Sequence, residues 1–463
     1  QGEVLTGVTQ DDLGNYDFTY TERYLAGATV QLVAREDIID PVNGEVIFKA
    51  GEVVETKTTD ENGQIVFDGS TNDKVVYDGL LLGEYYIQEI EAPEGYSLNS
   101  EKQNVSLTDE GNEEEFILKS TTVLNDRQKI RINVEKTDKD TGDYVSGATF
   151  VLRNKNDIVD ADGNVLLPAG TVIETRVTND GRITFQSDLP IGEYEVQETQ
   201  APAGYVTDST VHSFDGNYKG QDITVQRYTA RVEETPIKVR FAKVDAETGN
   251  DIGGAVLELR DSEGTLIDSW ETNANQRHEI KYLHAGEEYT LTEVKAPNNY
   301  VINTEPVKFT VEESAEIEVV SMSDQAVKGK ITVEKRGEAL VGTETADDGT
   351  IEFIYEERGL EGAVFEIIAK EYIRHPDGKT GIIYNKGDLV ATLTTGKDGT
   401  ATTEELPLGE YSVREITAPN GYIHNGEVKH VALEYADQHT ELVFDSAEFE
   451  NDRQTIEDLT SIK

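Results

Sequence analysis

The sequence predicts an all-β chain made of four tandem sandwich domains, and three observations carry that prediction. First, a short element recurs four times in the 463 residues: Glu89-Ile-Glu-Ala-Pro-Glu-Gly-Tyr96, Glu198-Thr-Gln-Ala-Pro-Ala-Gly-Tyr205, Glu293-Val-Lys-Ala-Pro-Asn-Asn-Tyr300 and Glu415-Ile-Thr-Ala-Pro-Asn-Gly-Tyr422. Second, each copy is preceded by a strand opening on Gly-Ala, at Gly27-Ala28, Gly147-Ala148, Gly254-Ala255 and Gly362-Ala363. Third, 40 Gly and an excess of Tyr (21) over Phe (13) suit short strands and tight turns, and no segment sustains a helical period.

Taken in order, the repeats occupy residues 1–126, 127–235, 236–325 and 326–452, with a tail or linker at 453–463. Within each, the Gly-Ala strand leads to a turn such as Asp60-Glu-Asn-Gly63 or Lys397-Asp-Gly399. A Gly-Glu turn and an alternating strand then end on the recurring Glu. The third copy has Asn299 where the others have Gly. Asn tolerates positive φ best among the other residues, so a left-handed turn is expected to survive there. Repeats one and four align without a gap: Gly2-Glu-Val-Leu5 falls on Gly337-Glu-Ala-Leu340, and Asp17-Phe-Thr-Tyr20 on Glu352-Phe-Ile-Tyr355. On that register Gln1 matches Arg336, and the position of Lys335 falls one place before residue 1. Short linkers between repeats favour an elongated rod.

Composition excludes several function classes. Acids outnumber bases 91 to 41, a formal charge of −50, which argues against nucleic acid or an anionic membrane surface as partner. With no Cys, disulfides, thiol catalysis and Cys-ligated metals are ruled out. No stretch reaches the length of a membrane-spanning helix, and Gln1 does not open a signal peptide. The chain reads as an excised piece of a larger exported protein. Asp160-Ala-Asp-Gly-Asn164 resembles the start of a calcium loop but lacks the bidentate Glu, so a plain turn is expected. The His residues show no paired metal spacing, and no cofactor is expected.

Strand parity points to polar groups facing inward. Lys136 continues the face of Ile130, Ile132 and Val134; Lys243 that of Val239 and Phe241; Lys335 that of Ile331 and Val333. The recurring Glu shares its face with Tyr85 and Ile87 (Glu89), Tyr194 and Val196 (Glu198), Tyr289 and Leu291 (Glu293), or Tyr411 and Val413 (Glu415). The last strand supplies a third polar residue: Asn125 with Val123, Glu234 with Val232, Asp324 with Met322, Asn451 with Phe449. Glu to third residue is 36 positions in repeats one, two and four, and 31 in repeat three. A desolvated Lys tends to the neutral, nucleophilic amine, and a desolvated Glu to the acid that polarises a carbonyl and relays protons. Amine attack on an Asn carboxamide expels ammonia, and attack on a protonated Asp expels water. A buried ion-pair cluster is the purely structural alternative.

These residues, Val134-Glu-Lys136-Thr-Asp138 through Glu198-Thr-Gln-Ala-Pro-Ala-Gly-Tyr205, resemble the Cna protein B-type (SpaA-type, prealbumin-like) domains of Gram-positive surface adhesins and pilins. The resemblance covers about residues 1–451. It implies tandem immunoglobulin-like or prealbumin-like sandwiches and a self-formed Lys–Asn or Lys–Asp isopeptide bond, with the recurring Glu as catalyst. Carried over by position, Lys335, Glu415 and Asn451 complete repeat four. Lys243, Glu293 and Asp324 serve repeat three. Repeat two keeps Lys136 and Glu198 but has Glu234 as third residue, so an ion pair and no bond are expected. Repeat one keeps Glu89 and Asn125 without the lysine.

The leading functional expectation is a cross-linked, protease-resistant stalk of a cell-wall-anchored surface protein, with its other domains as partners and no turnover catalysis. A second is direct binding of a host or neighbouring-cell ligand through the long loops 35–57, 68–80 and 370–388, for which tolerated insertion is the favoured plain explanation. A third, a pilus shaft subunit, needs a pilin-motif Lys and a sorting signal, and neither is found.

Overall fold

The computed structural model describes residues 1–74, 79–109, 111 and 117–456. Two compact units divide the chain, Gln1–Pro236 and Ile237–Lys463, each holding two of the repeats. Among the described residues there is no α-helix.

Repeat two sets the pattern. One sheet runs Arg182–Thr184, Lys129–Asp138, Val225–Pro236, Tyr205–Val206. Its two central strands are the first and last of the domain, and they lie side by side and parallel, from Lys129 opposite Val225 to Asp138 opposite Glu234. The facing sheet is antiparallel: Val172–Val177, Thr149–Asn154, Gly192–Gln200, Val211–Gly216. Alternation along Lys129–Asp138 aims Ile130, Ile132 and Val134 between the sheets, where they meet Phe150, Leu152 and Val196.

Repeat three repeats this with the parallel pair Lys238–Asp245 and Glu318–Asp324. Repeat four has a longer first strand, Lys328–Thr345. Its first half pairs in parallel with Leu442–Glu450, and its second half forms a hairpin with Ile351–Gly359. Repeat one has the matching hairpin, Gly2–Gln10 with Tyr16–Arg23. Both hairpins carry a register shift at the same place, Leu5/Gly7 and Leu340/Gly342. Gly2 bridges Asn125, as Arg336 opposite Glu450 puts Gly337 beside Asn451. Each approach requires glycine. A Cβ would lie 2.7 Å from the Tyr96 ring at Gly2 and 2.6 Å from the Asn451 carbonyl at Gly337. The ungapped register read from the sequence is therefore the register of the structure.

Repeat one differs in one respect. In repeat four the parallel ladder covers Lys328–Arg336, all of which match positions ahead of Gly2. Residues 117–124 have no assigned strand, and Val123, expected in a last strand, lies outside any ladder, its carbonyl accepting from the Gln1 amine at 2.7 Å.

The Ala-Pro-x-Gly-Tyr turn closes alike in all four repeats. The Tyr N–H donates to the Pro carbonyl at 3.1 Å (Tyr96, Tyr422) or 3.2 Å (Tyr205, Tyr300). Asn299 takes φ 72°, beside 90°, 86° and 89° at Gly95, Gly204 and Gly421, so the left-handed turn is kept.

The long loops are built into the fold. Loop 35–57 forms the small hairpin Ile38–Ile39 with Val46–Phe48, and buries Ile38 and Phe48 in the core of repeat one. Loop 370–388 forms Ile373–Arg374 with Ile382–Tyr384. Its Asp377 accepts hydrogen bonds from Thr248 (3.1 Å) and Asn250 (2.9 Å) of repeat three. In loop 68–80, Glu55 accepts the N–H groups of Asp68, Gly69 and Thr71, while residues 75–78 lie outside the described residues. Asp160 accepts the N–H groups of Asp162 and Asn164 in a plain turn.

Candidate functional site

The parallel pairing of first and last strands creates the site. Lys i on the first strand lies opposite residue j of the last, and residue j+2 shares its inward face. Lys335 lies opposite Phe449 and beside Asn451. Lys243 lies opposite Met322 and beside Asp324, and Lys136 opposite Val232 and beside Glu234. The recurring Glu arrives from the facing sheet.

In repeat four all three groups are buried, Lys335 completely. The Lys335 ammonium hydrogen-bonds Asn451 Oδ1 and lies 3.2 Å from Glu415 Oε1. The Asn451 amide donates to Glu415 Oε1 (3.0 Å) and Oε2 (3.2 Å). The carboxylate thus bridges the amine and the amide nitrogen that an acyl transfer would release. The Phe365 and Phe449 rings stand 5.9 and 5.7 Å from the Lys335 Nζ. Burial in this apolar pocket pushes the Lys335 amine below the ordinary lysine range, with the Glu415 charge opposing.

Repeat three brings Lys243 against Asp324 and to 3.0 Å from Glu293 Oε1. Burial raises the Asp324 carboxyl to about 7, although Lys243 opposes it. A carboxyl held protonated here is the electrophilic form that loses water.

Repeat two places Lys136 at 3.1 Å from Glu198 Oε2 and 2.5 Å from Glu234 Oε2, all three groups buried. Burial lowers the Lys136 pKa and raises that of Glu198. Neither Glu234 oxygen has another hydrogen-bond partner among the described residues. Two carboxylates share one cation. In repeat one, the Asn125 amide donates to Glu89 Oε2 at 2.7 Å, and burial raises the Glu89 pKa.

A further position serves the site and was not identified from the sequence. Ten residues past each recurring Glu, a backbone N–H donates to Glu Oε2: Asn99 (2.8 Å), Asp208 (2.8 Å), Asn303 (2.7 Å) and Asn425 (2.7 Å). The three Asn side chains also donate to the carbonyl just before the acceptor residue: Leu124, Ser323 and Glu450. They lock the Glu and the acceptor strand together. The signal was present, as Asn or Asp recurs at Glu+10 in every repeat.

Comparison with known proteins agrees with this architecture. The family described as "SpaA: Prealbumin-like fold domain" matches residues 17–122, 130–229, 237–326 and 349–448. Serine-aspartate repeat-containing protein D of Staphylococcus aureus (strain Newman) is 24% identical over 441 residues, 82% of this chain and 31% of the relative. Serine-aspartate repeat-containing protein F of Staphylococcus epidermidis is 27% identical over 275 residues, 51% of this chain and 14% of the relative. The chain therefore spans about a third or less of the length of these curated relatives. Among solved structures, the Bacillus anthracis TIE protein aligns at 19% identity and TM-score 0.44, over 97% of this chain and 71% of that one. BcpA, the major pilin subunit of Bacillus cereus, aligns at 15% identity and TM-score 0.32, over 71% of this chain and all of that one. Four matched segments, which together cover most of the chain, place it in the SpaA prealbumin-like fold domain family.

Proposed function

We propose that this chain is a tension-carrying stalk region of a Gram-positive cell-surface adhesin or pilin-like protein, with its other domains as partners. Repeats three and four are hardened by self-formed isopeptide bonds. The observation that carries the reading is the buried Lys335–Glu415–Asn451 cluster, which sits between the first and last strands at the exit end of their parallel ladder. Lys335 reacts as the neutral amine, its proton having passed to Glu415. The Nζ attacks Cγ of Asn451, the new C–N bond forms, and the Cγ–Nδ2 bond breaks. Glu415 gives that proton to the departing amide nitrogen, which leaves as ammonia, and takes up the second Nζ proton as the new amide forms, so the carboxyl ends protonated. In repeat three Lys243 attacks the protonated Asp324 carboxyl and water leaves. Glu234 puts the carboxyl carbon of repeat two one methylene further out, and the cluster there stays ionic. Each reaction happens once, so the protein turns over no substrate.

Tension enters a tandem array through the first strand and leaves through the last. A covalent tie between them carries it around the rest of the domain. Stretching single molecules between their ends tests the reading. Repeat two should extend to its full chain length, whereas repeat four should release none of the chain between Lys335 and Asn451. Full extension of repeat four would reject the stalk mechanism. Loop-mediated ligand binding is less well supported, since 35–57 and 370–388 bury Ile38, Phe48 and Ile373 in the fold.

A further inference from the structure

The equivalent hairpins of repeats one and four have opposite environments. In repeat one the hairpin lies against repeat two, and Phe18 joins that domain's core with 8% of its surface exposed, flanked by Leu5, Val8, Tyr16 and Tyr20. Polar contacts fix the contact's register. The Ala161 N–H donates to the Leu5 carbonyl (3.0 Å), Tyr20 Oη to the Asp188 carbonyl (2.7 Å), and Arg23 pairs with Asp162 at 3.0 Å. On the ungapped register Phe18 corresponds to Phe353, which is 59% exposed. Leu340 and Ile351, the counterparts of Leu5 and Tyr16, are exposed beside it. This is a contiguous apolar face on a two-stranded edge.

The polar apparatus is duplicated too. Arg127 stacks 3.7 Å over the Tyr20 ring and pairs with Glu3. Arg453 stacks 4.0 Å over the Tyr355 ring and pairs with Glu338. Arg127 additionally pairs with Asp188 of repeat two, which leaves its side chain 6% exposed, against 34% for Arg453. The exit sequence is the same, Asn125-Asp-Arg-Gln128 and Asn451-Asp-Arg-Gln454, and repeats two and three do not share it. The Gln N–H bonds the Gly95 carbonyl in one and the Gly421 carbonyl in the other, both at 2.8 Å. Gln128 is buried, its amide donating to the Gly220 carbonyl at 2.5 Å, while Gln454 is exposed.

From this duplication we propose that the hairpin 337–359, with Arg453 and Gln454, is a docking face for a prealbumin-like domain of the repeat-two kind, joined through the Asn-Asp-Arg-Gln exit. Phe353 then enters that domain's core as Phe18 enters repeat two. Arg453 takes a carboxylate equivalent to Asp188, and Arg358 one equivalent to Asp162. An acidic turn between two strands is the feature such a partner must carry.

The test fuses a second copy of residues 129–236 directly after Gln454 and follows amide hydrogen exchange in the full chain. Exchange in the hairpin 337–359 should slow by about tenfold or more on fusion. Phe353→Asp in the fused chain should restore it, just as Phe18→Asp should speed exchange in the hairpin of repeat one. Unchanged exchange on fusion overturns the proposal. So does an appended copy that stays unfolded, because the hairpin would then not complete its core. Protection already present in the unfused chain also overturns it, whether it disappears on removing residues 457–463 or on diluting a self-associated form.

Discussion

Repeats two and four place a lysine at the same register, under the same recurring glutamate, in equally apolar surroundings. They differ in the third residue. Asn451 offers a carbonyl whose amide can leave and whose nitrogen already contacts Glu415. Glu234 offers a second carboxylate that pairs with Lys136 at 2.5 Å. On the proposed reading, one scaffold supports either a covalent tie or a buried salt bridge, and the acceptor decides which. The difference matters energetically. A buried ion pair repays a large desolvation cost and adds little net stability, while a covalent tie restricts the unfolded chain.

The largest expected effect comes from removing the tie. Glu415→Ala should leave Lys335 and Asn451 unlinked and restore one ammonia to the mass. Lys335 and Asn451 are 116 apart in sequence, so a tie of that span would stabilise by about 5 kcal/mol on the chain-entropy account. Calorimetry of the variant should show the repeat-four transition at markedly lower temperature. An unchanged transition would break the comparison.

Next is the ion pair of repeat two. Lys136→Met leaves two carboxylates buried without their cation and should cost about 3–5 kcal/mol in urea unfolding. The double change with Glu234→Leu should recover most of that loss. If the single change is silent, the cluster is not the desolvated pair described here.

Conversion sharpens the comparison further. Glu234→Asn should turn repeat two into a cross-linking domain, read as one lost ammonia. Where Asp208 slows the reaction through its extra negative charge near Lys136, adding Asp208→Asn should speed it. A chain that keeps its full mass with both changes would show that more than the acceptor separates the two repeats.

Repeat three gives a pH signature. Burial raises Asp324 from 3.8 to about 7, so the folded state binds its proton more tightly than the unfolded state. The resulting stabilisation is fully present below 3.8 and is lost as pH rises through about 7. Unfolding midpoints of the unlinked form, prepared as Glu293→Ala, should fall as pH rises above 3.8, over a narrower window, because burial still raises Asp324 while the Glu293 contribution is gone. The linked form has no Asp324 carboxyl to titrate and should lack that component. The smallest effect is Asn425→Ala in repeat four, which removes the bond to the Glu450 carbonyl and should cost about 1 kcal/mol in urea unfolding.

Much of this was legible in the sequence because strand parity converts directly into burial. Lys136, Lys243 and Lys335 continue apolar faces, and a two-residue period leaves them no other side. The ungapped register of repeats one and four was readable for the same reason, and Gly2 and Gly337 occupy the same crowded spot. Other features depend on contacts between distant segments. The Glu+10 position recurs in the sequence, yet its bond to the carboxylate arises only when the Ala-Pro turn folds back. The burial of Phe18 in the next repeat's core has no local signal at all, since Phe353 sits in the same pattern and is exposed. Loops 35–57 and 370–388 read as insertions, and only their packing reveals Ile38 and Ile373 as core residues.

The central claim is tested most directly by the intact mass of the chain under denaturing conditions, with peptides mapped around the joined residues. The account predicts a mass short of the sequence by one ammonia and one water. The joined peptides should contain Lys335 with Asn451 and Lys243 with Asp324, and Lys136 should be recovered free. A mass equal to that of the plain sequence would contradict it, and would leave every one of these clusters an ion pair.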